Sequence, residues 1–416
     1  MPMNRTGLLA LVYLLAACSA PRDGIATDTA SPTHATAARE YLYLWTASAD
    51  STQPDFLAVV DITANDNDTA RYGRLVTTLA VPGRMNRPHH TEHELPADRQ
   101  LFANGFATGR TFVFDLSTPD APKLAADFTD LDGYQHPHSF LRLPNGNVLA
   151  TYQMRHTGDH MRAGGLVEVT PRGALVRSAS ADTPAADSGL RVYSAAIMPA
   201  IDRIVTTSTD MEKDFFEPSR TLQVFRLSDR TRLRQITLPG PNGILSAEPR
   251  VLADGKTLLV STFSCGLFLV DGLDGETPSA TQVATFPQKE GTSCAVPVIV
   301  GHYYLVTVPA WSAVVSLDIA NPRAPKEVSR VAFDSTDVPH WIAASPDQRR
   351  VVVTGYASMK HTAHLLRFDA ATGMLTRDEH FREEGATSSG FRMDNKTWPH
   401  GGSAKGVPHG AVFSRP

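Results

Sequence analysis

The stretch Pro88-His89-His90-Thr91-Glu92-His93-Glu94-Leu95-Pro96 is the clearest copy of a unit that repeats along the sequence. It begins with a histidine doublet and ends in a turn signal at residues 95–98. Weaker copies of this unit recur along the chain, and short strand-like runs follow each copy. We interpret each copy as the innermost strand of a propeller blade, because such strands recur at a regular period and line one central axis.

The copies recur at the spacing of propeller blades. Their leading residues are 46 to 69 positions apart, close to the length of one four-stranded blade. Seven copies predict an all-β fold, a seven-bladed β-propeller. The leading residues are His90, His138, Ser194, Glu248, Cys294, His340 and His409.

The seventh copy is divided between the two ends of the sequence. Pro408–Phe413 supplies only an innermost strand, whereas residues 41–46, 56–62 and 74–81 read as the three outer strands of a blade. We expect the C-terminal strand to pair with the N-terminal strands, because this pairing closes the ring and leaves no long sheet edge exposed. Residues 39–416 are therefore predicted to form one propeller domain.

The N-terminus has the pattern of a targeting segment. An apolar run follows Arg5 and is too short to span a bilayer easily. It ends in Leu15-Ala16-Ala17-Cys18, which resembles the lipobox of bacterial lipoproteins. We predict a lipoprotein signal peptide at residues 1–18 with Cys18 as the lipidated residue, and a flexible tether at residues 19–38.

Simple secretion with cleavage near Ala20 is the alternative interpretation of this segment. In both cases we expect export to the periplasmic side, and with lipidation the N-terminal lipid would be the contact with the membrane. The net charge of −4 and the lack of a basic cluster give no basis for a nucleic-acid partner.

Export would place Cys265 and Cys294 in an oxidising compartment, where both are disulfide candidates. Cys265 precedes the third strand of the fourth copy and Cys294 leads the fifth copy, so both are expected on the same face of neighbouring blades. Two alternatives stay open at this point: two separate buried thiols, or a free Cys294 thiol at the channel.

Four of the seven leading positions are histidine, and a fifth is Glu248. These positions should converge at one mouth of the channel, so we predict a transition-metal site there. Imidazole suits copper, zinc, iron and nickel alike, and isolated structural histidines are the alternative. Adjacent residues of a regular strand face opposite sides, so His89 and His90 can both bind only from irregular backbone before the strand, which Pro88 favours.

The chain resembles the selenium-binding protein and methanethiol oxidase family of seven-bladed propellers. The matching parts are His89-His90, residues 111–116 with 121–123, residues 138–150, residues 317–322, and Pro408-His409. The resemblance implies copper held by His89, His90, His138 and His409. His340 does not match a family ligand and is predicted as an extra axial group. The Cys-Ser-Ser-Cys run of selenium-binding members does not follow the doublet here, so the resemblance does not imply selenium ligation.

The resemblance also implies an activity, a copper-dependent oxidase that converts methanethiol or a similar small thiol to formaldehyde, hydrogen sulfide and hydrogen peroxide. Glu92 and Glu248 are candidates for proton transfer or for support of the ligands, and the alternative is ion pairing inside the channel. A non-catalytic, lipid-anchored metal- or ligand-binding propeller is the alternative function. A lactonase-type hydrolase is a weaker third hypothesis, because a histidine-rich axis favours a transition metal over calcium.

Overall fold

The structure is a computed structural model of the chain. It describes residues 39–63, 71–129, 131–158, 160–182, 190–211, 219–289, 294, 296–355, 361–394 and 396–415. The predicted signal peptide, its Cys18 and the tether lie outside these residues. Within the described ranges, no helix is both long enough and apolar enough to cross a lipid bilayer.

The described residues are almost entirely β-strands. In chain order the first group is β1 (Tyr41–Ser48), β2 (Phe56–Asp61), β3 (Leu75–Ala80), β4 (Pro88–Thr91), β5 (Gln100–Gly105), β6 (Arg110–Asp115), β7 (Lys123–Phe128), β8 (Tyr134–Arg142), β9 (Val148–Thr157), β10 (His160–Val169) and β11 (Leu175–Ser180). The second group is β12 (Val192–Met198), β13 (Arg203–Ser208), β14 (Thr221–Arg226), β15 (Arg232–Thr237), β16 (Ser246–Val251), β17 (Leu258–Thr262), β18 (Gly266–Asp271), β19 (Ser279–Thr285), β20 (Pro297–Val300), β21 (Tyr303–Val308), β22 (Ala313–Asp318) and β23 (Lys326–Ala332).

The last group is β24 (Pro339–Ala344), β25 (Arg350–Gly355), β26 (Thr362–Asp369), β27 (Met374–Arg377), β28 (Phe391–Arg392), β29 (Lys396–Thr397), β30 (Ser403–Ala404) and β31 (Gly406–Phe413). Single turns of 3-10 helix lie at Pro199–Ile201, Pro241–Gly243 and Pro309–Trp311.

Seven four-stranded antiparallel blades make up the described part of the chain, which confirms the predicted propeller. We number the blades from the histidine doublet. Blades 1 to 6 each use four consecutive strands, from β4–β7 in blade 1 to β24–β27 in blade 6. Blade 7 has the order β3-β2-β1-β31. The short strand β28 pairs with β26, and β29 pairs with β30.

The ring closes by the predicted pairing of the C-terminal strand with an N-terminal one. β31 pairs antiparallel with β1, with Phe413 opposite Leu42 and Pro408 opposite Thr46. Ser414 extends the pairing: its backbone N–H donates to Tyr41 O, and the Tyr41 N–H donates to Ser414 Oγ, both at 2.8 Å. β1 is therefore an interior strand of blade 7, and β31 forms the inner edge of that blade.

Burial differs between the inner and outer strands because blades pack face to face. β2 reads Phe-Leu-Ala-Val-Val-Asp and is buried throughout, as expected for a strand covered on both faces. The outer strand β7 reads Lys-Leu-Ala-Ala-Asp-Phe and is only half-buried. The continuous apolar runs therefore mark the middle strands of each blade.

One predicted boundary is wrong in blade 1. The innermost strand β4 covers Pro88–Thr91, whereas the sequence analysis expected the doublet in irregular backbone just before this strand. Residues 93–98 form the turn instead. The histidine doublet consequently lies inside the strand, and the next subsection shows what this does to the side chains.

A buried carboxylate joins blades 2 and 3. Glu168 of β10 accepts hydrogen bonds from Asn145 Nδ2 at 2.9 Å and Asn147 Nδ2 at 2.8 Å. Arg177 Nε of the same blade and Arg230 Nη2 of blade 3 each donate to it at 2.8 Å. Burial acts to raise the pKa of Glu168, but these hydrogen bonds and charges outweigh it and lower the pKa to about 2.

We predict that Glu168→Gln destabilises the protein at neutral pH. Because the pKa of Glu168 is lower in the folded than in the unfolded state, its ionised form adds about 3 kcal/mol to the free energy of unfolding above pH ~4.5. This contribution is lost as the pH falls toward ~2. Urea unfolding at pH 7 should show this loss, and the difference from the parent protein should shrink at pH 4. Glu327→Gln, which breaks an exposed pair with Arg330, should change stability by less than about 1 kcal/mol. Equal effects of the two changes would contradict the prediction.

Candidate metal centre

A β-bulge in β4 turns both histidines of the doublet toward the axis. Pro88 lies opposite Gly105 and Thr91 lies opposite Ala103, so His89 and His90 together face the single residue Asn104. Their rings stack with centroids 4.5 Å apart and planes 7° apart. The bulge removes the alternation that would have separated the two side chains.

The innermost strand of most blades begins with the same bulge. The position of this bulge shows that the sequence alignment of the repeat was one residue off in blade 1. His89, rather than His90, corresponds to His138, His340 and His409, and each of these four histidines directly follows a proline. His90 takes the second bulge position, which Ser194 and Glu248 occupy in blades 3 and 4. A Pro-His pair is therefore the sequence signal of a ligand position, and the doublet supplies one additional imidazole.

The structure brings all five of these histidines together. One ligand nitrogen from each of His89, His90, His340 and His409 lies within 4.8 Å of the others. The ring centroids of His89 and His409 are 4.0 Å apart, and those of His340 and His409 are 4.7 Å apart. His340 is thus a full member of the group, although the resemblance gave it no ligand role.

His138 meets the cluster through His90. The centroids of these two rings are 4.1 Å apart, and the two residues form a second group with Glu248, again with ligand atoms within 4.8 Å of one another. The Nδ1 atom of His138 lies 3.1 Å from Ser139 Oγ. This contact leaves Nε2 as the His138 nitrogen for a metal.

The electrostatics of the cluster suit a bound cation. Burial, followed by repulsion between neighbouring imidazoles, lowers the pKa of His89, His90, His138 and His409 well below the ordinary value. Burial alone lowers the pKa of His340 to about 4. The rings are therefore neutral at pH 7, which is the form that binds metals. Among the described residues, the buried Nε2 atoms of His90 and His138 have no hydrogen-bond partner.

Asn104 of β5 fixes the backbone of the doublet. Its Oδ1 accepts the N–H groups of His89 at 3.2 Å and His90 at 2.7 Å, and its Nδ2 donates to Pro137 O of blade 2 at 2.7 Å. One side chain thus sets the spacing between the doublet and His138. The sequence analysis missed it, although a lone polar residue in the middle of an apolar strand was a visible signal.

Other blades carry a threonine at the position that corresponds to Asn104, and these threonines hydrogen-bond to the backbone of axial residues. Thr151 Oγ1 accepts the Ser139 N–H at 2.9 Å and donates to Tyr193 O of the next blade at 2.8 Å. Thr307 Oγ1 donates to His340 O at 2.9 Å, and Thr354 Oγ1 donates to His409 O. The backbones of Tyr193, His340 and His409 are therefore each bonded to the preceding blade.

The two glutamates predicted as catalytic candidates have different surroundings. Glu92 belongs to neither ligand group: Arg142 Nε donates to its Oε1 at 2.6 Å, and the Phe102 N–H donates to its Oε2 at 3.0 Å. Glu92 is therefore an ion-pair residue that joins blades 1 and 2. Glu248 lies at the cluster, with its Oε1 atom 4.0 Å from His90 Nδ1.

Cys265 and Cys294 form a disulfide between blades 4 and 5, with Cα atoms 4.9 Å apart. Both residues are buried, so the structure does not offer Cys294 as a free thiol. Two residues after Cys294, the Val296 N–H donates to His340 O at 3.2 Å. The cross-link thus anchors the segment that contacts the backbone of His340.

Aromatic side chains pack against the imidazoles. Tyr193 lies under His138 with ring centroids 3.7 Å apart, and Trp341 meets the His90 ring edge-to-face at 4.7 Å. The Trp341 indole N–H donates to Ala411 O at 2.9 Å, which fixes its plane. These contacts restrict the rotamers of the rings that face the axis.

Comparison with known proteins agrees with the resemblance seen in the sequence. A curated methanethiol oxidase from Hyphomicrobium is 31% identical over 177 residues, which is 42% of this chain and 39% of that relative. The chain therefore matches about two fifths of the relative's length. No protein-family model matches the chain.

Two solved structures share the fold. A hypothetical selenium-binding protein from Sulfolobus tokodaii superposes with a TM-score of 0.73 at 16% identity, covering 91% of this chain and 94% of that one. A periplasmic gluconolactonase from Pseudomonas aeruginosa superposes with a TM-score of 0.62 at 13% identity, covering 91% and 99%. At these identities the similarity concerns the fold alone. Over 177 residues the chain is thus similar in sequence to a methanethiol oxidase, and it shares its fold with a hypothetical selenium-binding protein.

We predict that His138→Ala weakens the binding of a transition metal, with copper as the probe, by about 10-fold or more, because it removes an imidazole that faces His90. His302→Ala is the matched control, since His302 is exposed in a turn and belongs to neither ligand group. Copper content after equilibrium dialysis measures the effect. Similar losses in the two variants would show that the chosen ligands are wrong.

We also predict that Asn104→Ala weakens metal binding without touching a ligand side chain. The change leaves the N–H groups of His89 and His90 without their acceptor, which costs roughly 2 kcal/mol or more of stability, and loosens the doublet. We expect metal affinity to fall about 10-fold. Asn321→Ala, in an exposed turn, should change neither thermal unfolding nor metal affinity, and unchanged affinity in Asn104→Ala would argue against the positioning role.

Proposed function

We propose that this protein, a homologue of methanethiol oxidase, is itself a copper-dependent oxidase of a small thiol. The observation that supports the proposal is the buried cluster of five neutral imidazoles on the propeller axis. Imidazole nitrogen binds copper well, and copper in turn is a good partner for thiolate sulfur. The expected reaction converts methanethiol, oxygen and water to formaldehyde, hydrogen sulfide and hydrogen peroxide.

The residues that would hold copper are His89, His90, His138 and His409, with His340 as an additional ligand at the same centre. Bound copper would supply a soft binding position for sulfur and one-electron redox chemistry. The protein's own contribution is to position the ligands. Asn104 fixes the doublet through its backbone, and Ser139 occupies His138 Nδ1 so that Nε2 faces the metal.

The ligands are also shielded from solvent. The ligand rings are surrounded by apolar and aromatic side chains, and His340, the most exposed of the five, is only 7% accessible. Such surroundings keep the imidazoles neutral and exclude bulk water from the reacting atoms. They suit a substrate as small as methanethiol better than a sugar lactone.

The same burial favours the second candidate function, a non-catalytic propeller that stores or carries the metal. His138 is 0% exposed and His90 is 1% exposed, which is also the environment of a permanently held ion. Both candidates need the metal, and they differ in whether a thiol is turned over.

We extend the proposal to the location of the protein. Residues 1–18 carry the pattern of a lipoprotein signal peptide, and this supports export with lipid attachment at Cys18. Incorporation of labelled palmitate into the parent protein, and not into Cys18→Ala, is the expected result. Labelling of both forms would contradict lipidation at this cysteine.

The test of the proposed activity uses the full chain matured in a copper-replete periplasm. We expect bound copper and, with methanethiol and oxygen, release of hydrogen sulfide and hydrogen peroxide in equal amounts. His409→Ala should lower turnover by about 100-fold or more, because it removes an axial imidazole. Glu327→Gln on the surface should retain full activity.

The other outcomes decide between the candidates. Bound copper with no turnover of methanethiol or related small thiols would favour the non-catalytic function. Protein that gains no transition metal under these conditions would contradict both candidates. Full turnover in His409→Ala would show that the reaction takes place elsewhere.

A further inference from the structure

The two oxygens of Glu248 have unequal partners. Ser194 Oγ donates to Oε2 at 2.9 Å, and Arg250 Nη1 donates to the same oxygen at 2.8 Å. Oε1 is buried and, among the described residues, has no hydrogen-bond donor. Burying a carboxylate oxygen without a hydrogen-bond donor or a cation costs free energy. The surroundings of Oε1 therefore indicate that a positively charged partner is missing.

Arg250 holds the carboxylate in this orientation. Its Nη2 contacts His93 Nε2 at 2.9 Å, and its Nε donates to Pro297 O at 2.9 Å. The guanidinium is therefore fixed on three sides and cannot swing over to Oε1. The unbonded oxygen consequently stays directed at His90, whose Nδ1 is 4.0 Å away.

The three side chains have the geometry of a ligand set. One ligand atom from each of His90, His138 and Glu248 lies within 4.8 Å of the others. Three ligand atoms on one cation with bonds of about 2.1 Å lie about 3.4–3.6 Å apart, so side-chain shifts of up to about 1 Å complete the site. The Nε2 atom of His138 is buried and has no hydrogen-bond partner in the described part of the chain.

We propose that the proposed five-histidine copper centre divides into two adjoining cation positions: His90, His138 and Glu248 form the second position, next to the all-imidazole position of His89, His340 and His409. His90 belongs to both groups and would serve both as an imidazolate, with one cation on each ring nitrogen and its N–H proton released to solvent when the second cation binds. Two imidazoles and one carboxylate make a harder ligand set than imidazoles alone, and it suits a divalent first-row cation such as zinc, iron or copper(II). This inference rests on the ligand geometry and does not depend on the identity of the substrate.

Glu92 provides an internal comparison. Like Glu248 it is buried and paired with one arginine, but both of its oxygens accept hydrogen bonds, from Arg142 and from the Phe102 backbone. The two carboxylates thus differ in one respect. Glu248 keeps one oxygen that accepts no hydrogen bond from the described residues and is available to a cation, whereas Glu92 does not.

The experiment counts tightly held zinc. The full chain is stripped of metal, titrated with Zn(II) alone and dialysed, and its zinc content is measured. We expect two equivalents in the parent protein, one in Glu248→Gln and two in Glu92→Gln. His409→Ala should also retain one equivalent, the one held with Glu248. Thermal unfolding of each metal-free variant shows whether it folds.

Several results would overturn the second position. One zinc equivalent in the parent protein excludes it directly, as does retention of two equivalents in Glu248→Gln. If Glu248→Gln does not fold, Glu248→Asp replaces it and should weaken the second equivalent about 10-fold while leaving the first unchanged; equal affinities would count against the proposal. Anomalous diffraction at the zinc edge gives a check without mutation, because a single peak distant from Glu248 would exclude coordination. The result is independent of any thiol oxidase activity, because the experiment measures zinc content and not turnover.

Discussion

The β-bulge at the start of the innermost strands is the constraint on which the rest of the centre depends. A regular strand would alternate His89 and His90 between two faces, and only one of them would reach the axis. With two residues opposite Asn104, both rings face the channel and stack. The same bulge in blades 2, 6 and 7 aims His138, His340 and His409 at this point. The candidate metal centre is therefore built on a repeated backbone feature that carries a histidine in four blades.

The charge of the centre follows from what the bulge positions carry. Five neutral imidazoles contribute no charge, and the single carboxylate, Glu248, is paired with Arg250 on one oxygen. A dication would then be the main uncompensated charge in a buried region. Such a region favours cations that bind strongly to imidazole nitrogen. Burial in the same region keeps the imidazoles unprotonated, which is the form that binds metals.

The sequence predicted the architecture well because its signals are local. Strand periodicity, turn residues and the divided seventh copy were sufficient to predict seven blades and the pairing of β31 with β1. The five histidines were also visible, but their register was off by one, because a bulge adds a residue without changing the apparent period. Asn104 and the roles of Glu92 and Glu248 were hidden for another reason. The partner that satisfies Glu92, Arg142, lies 50 residues away, and only the packed blades show which carboxylate keeps an unbonded oxygen.

The closing strand also sets an order of events in biogenesis. His409 belongs to β31, and β31 reaches the axis only by docking onto β1 across nearly the whole length of the propeller sequence. Contacts of such long range form late in folding. The polypeptide consequently cannot acquire its full ligand set piece by piece during synthesis. A metal held by this set, as proposed, would be loaded only after the ring of blades has closed.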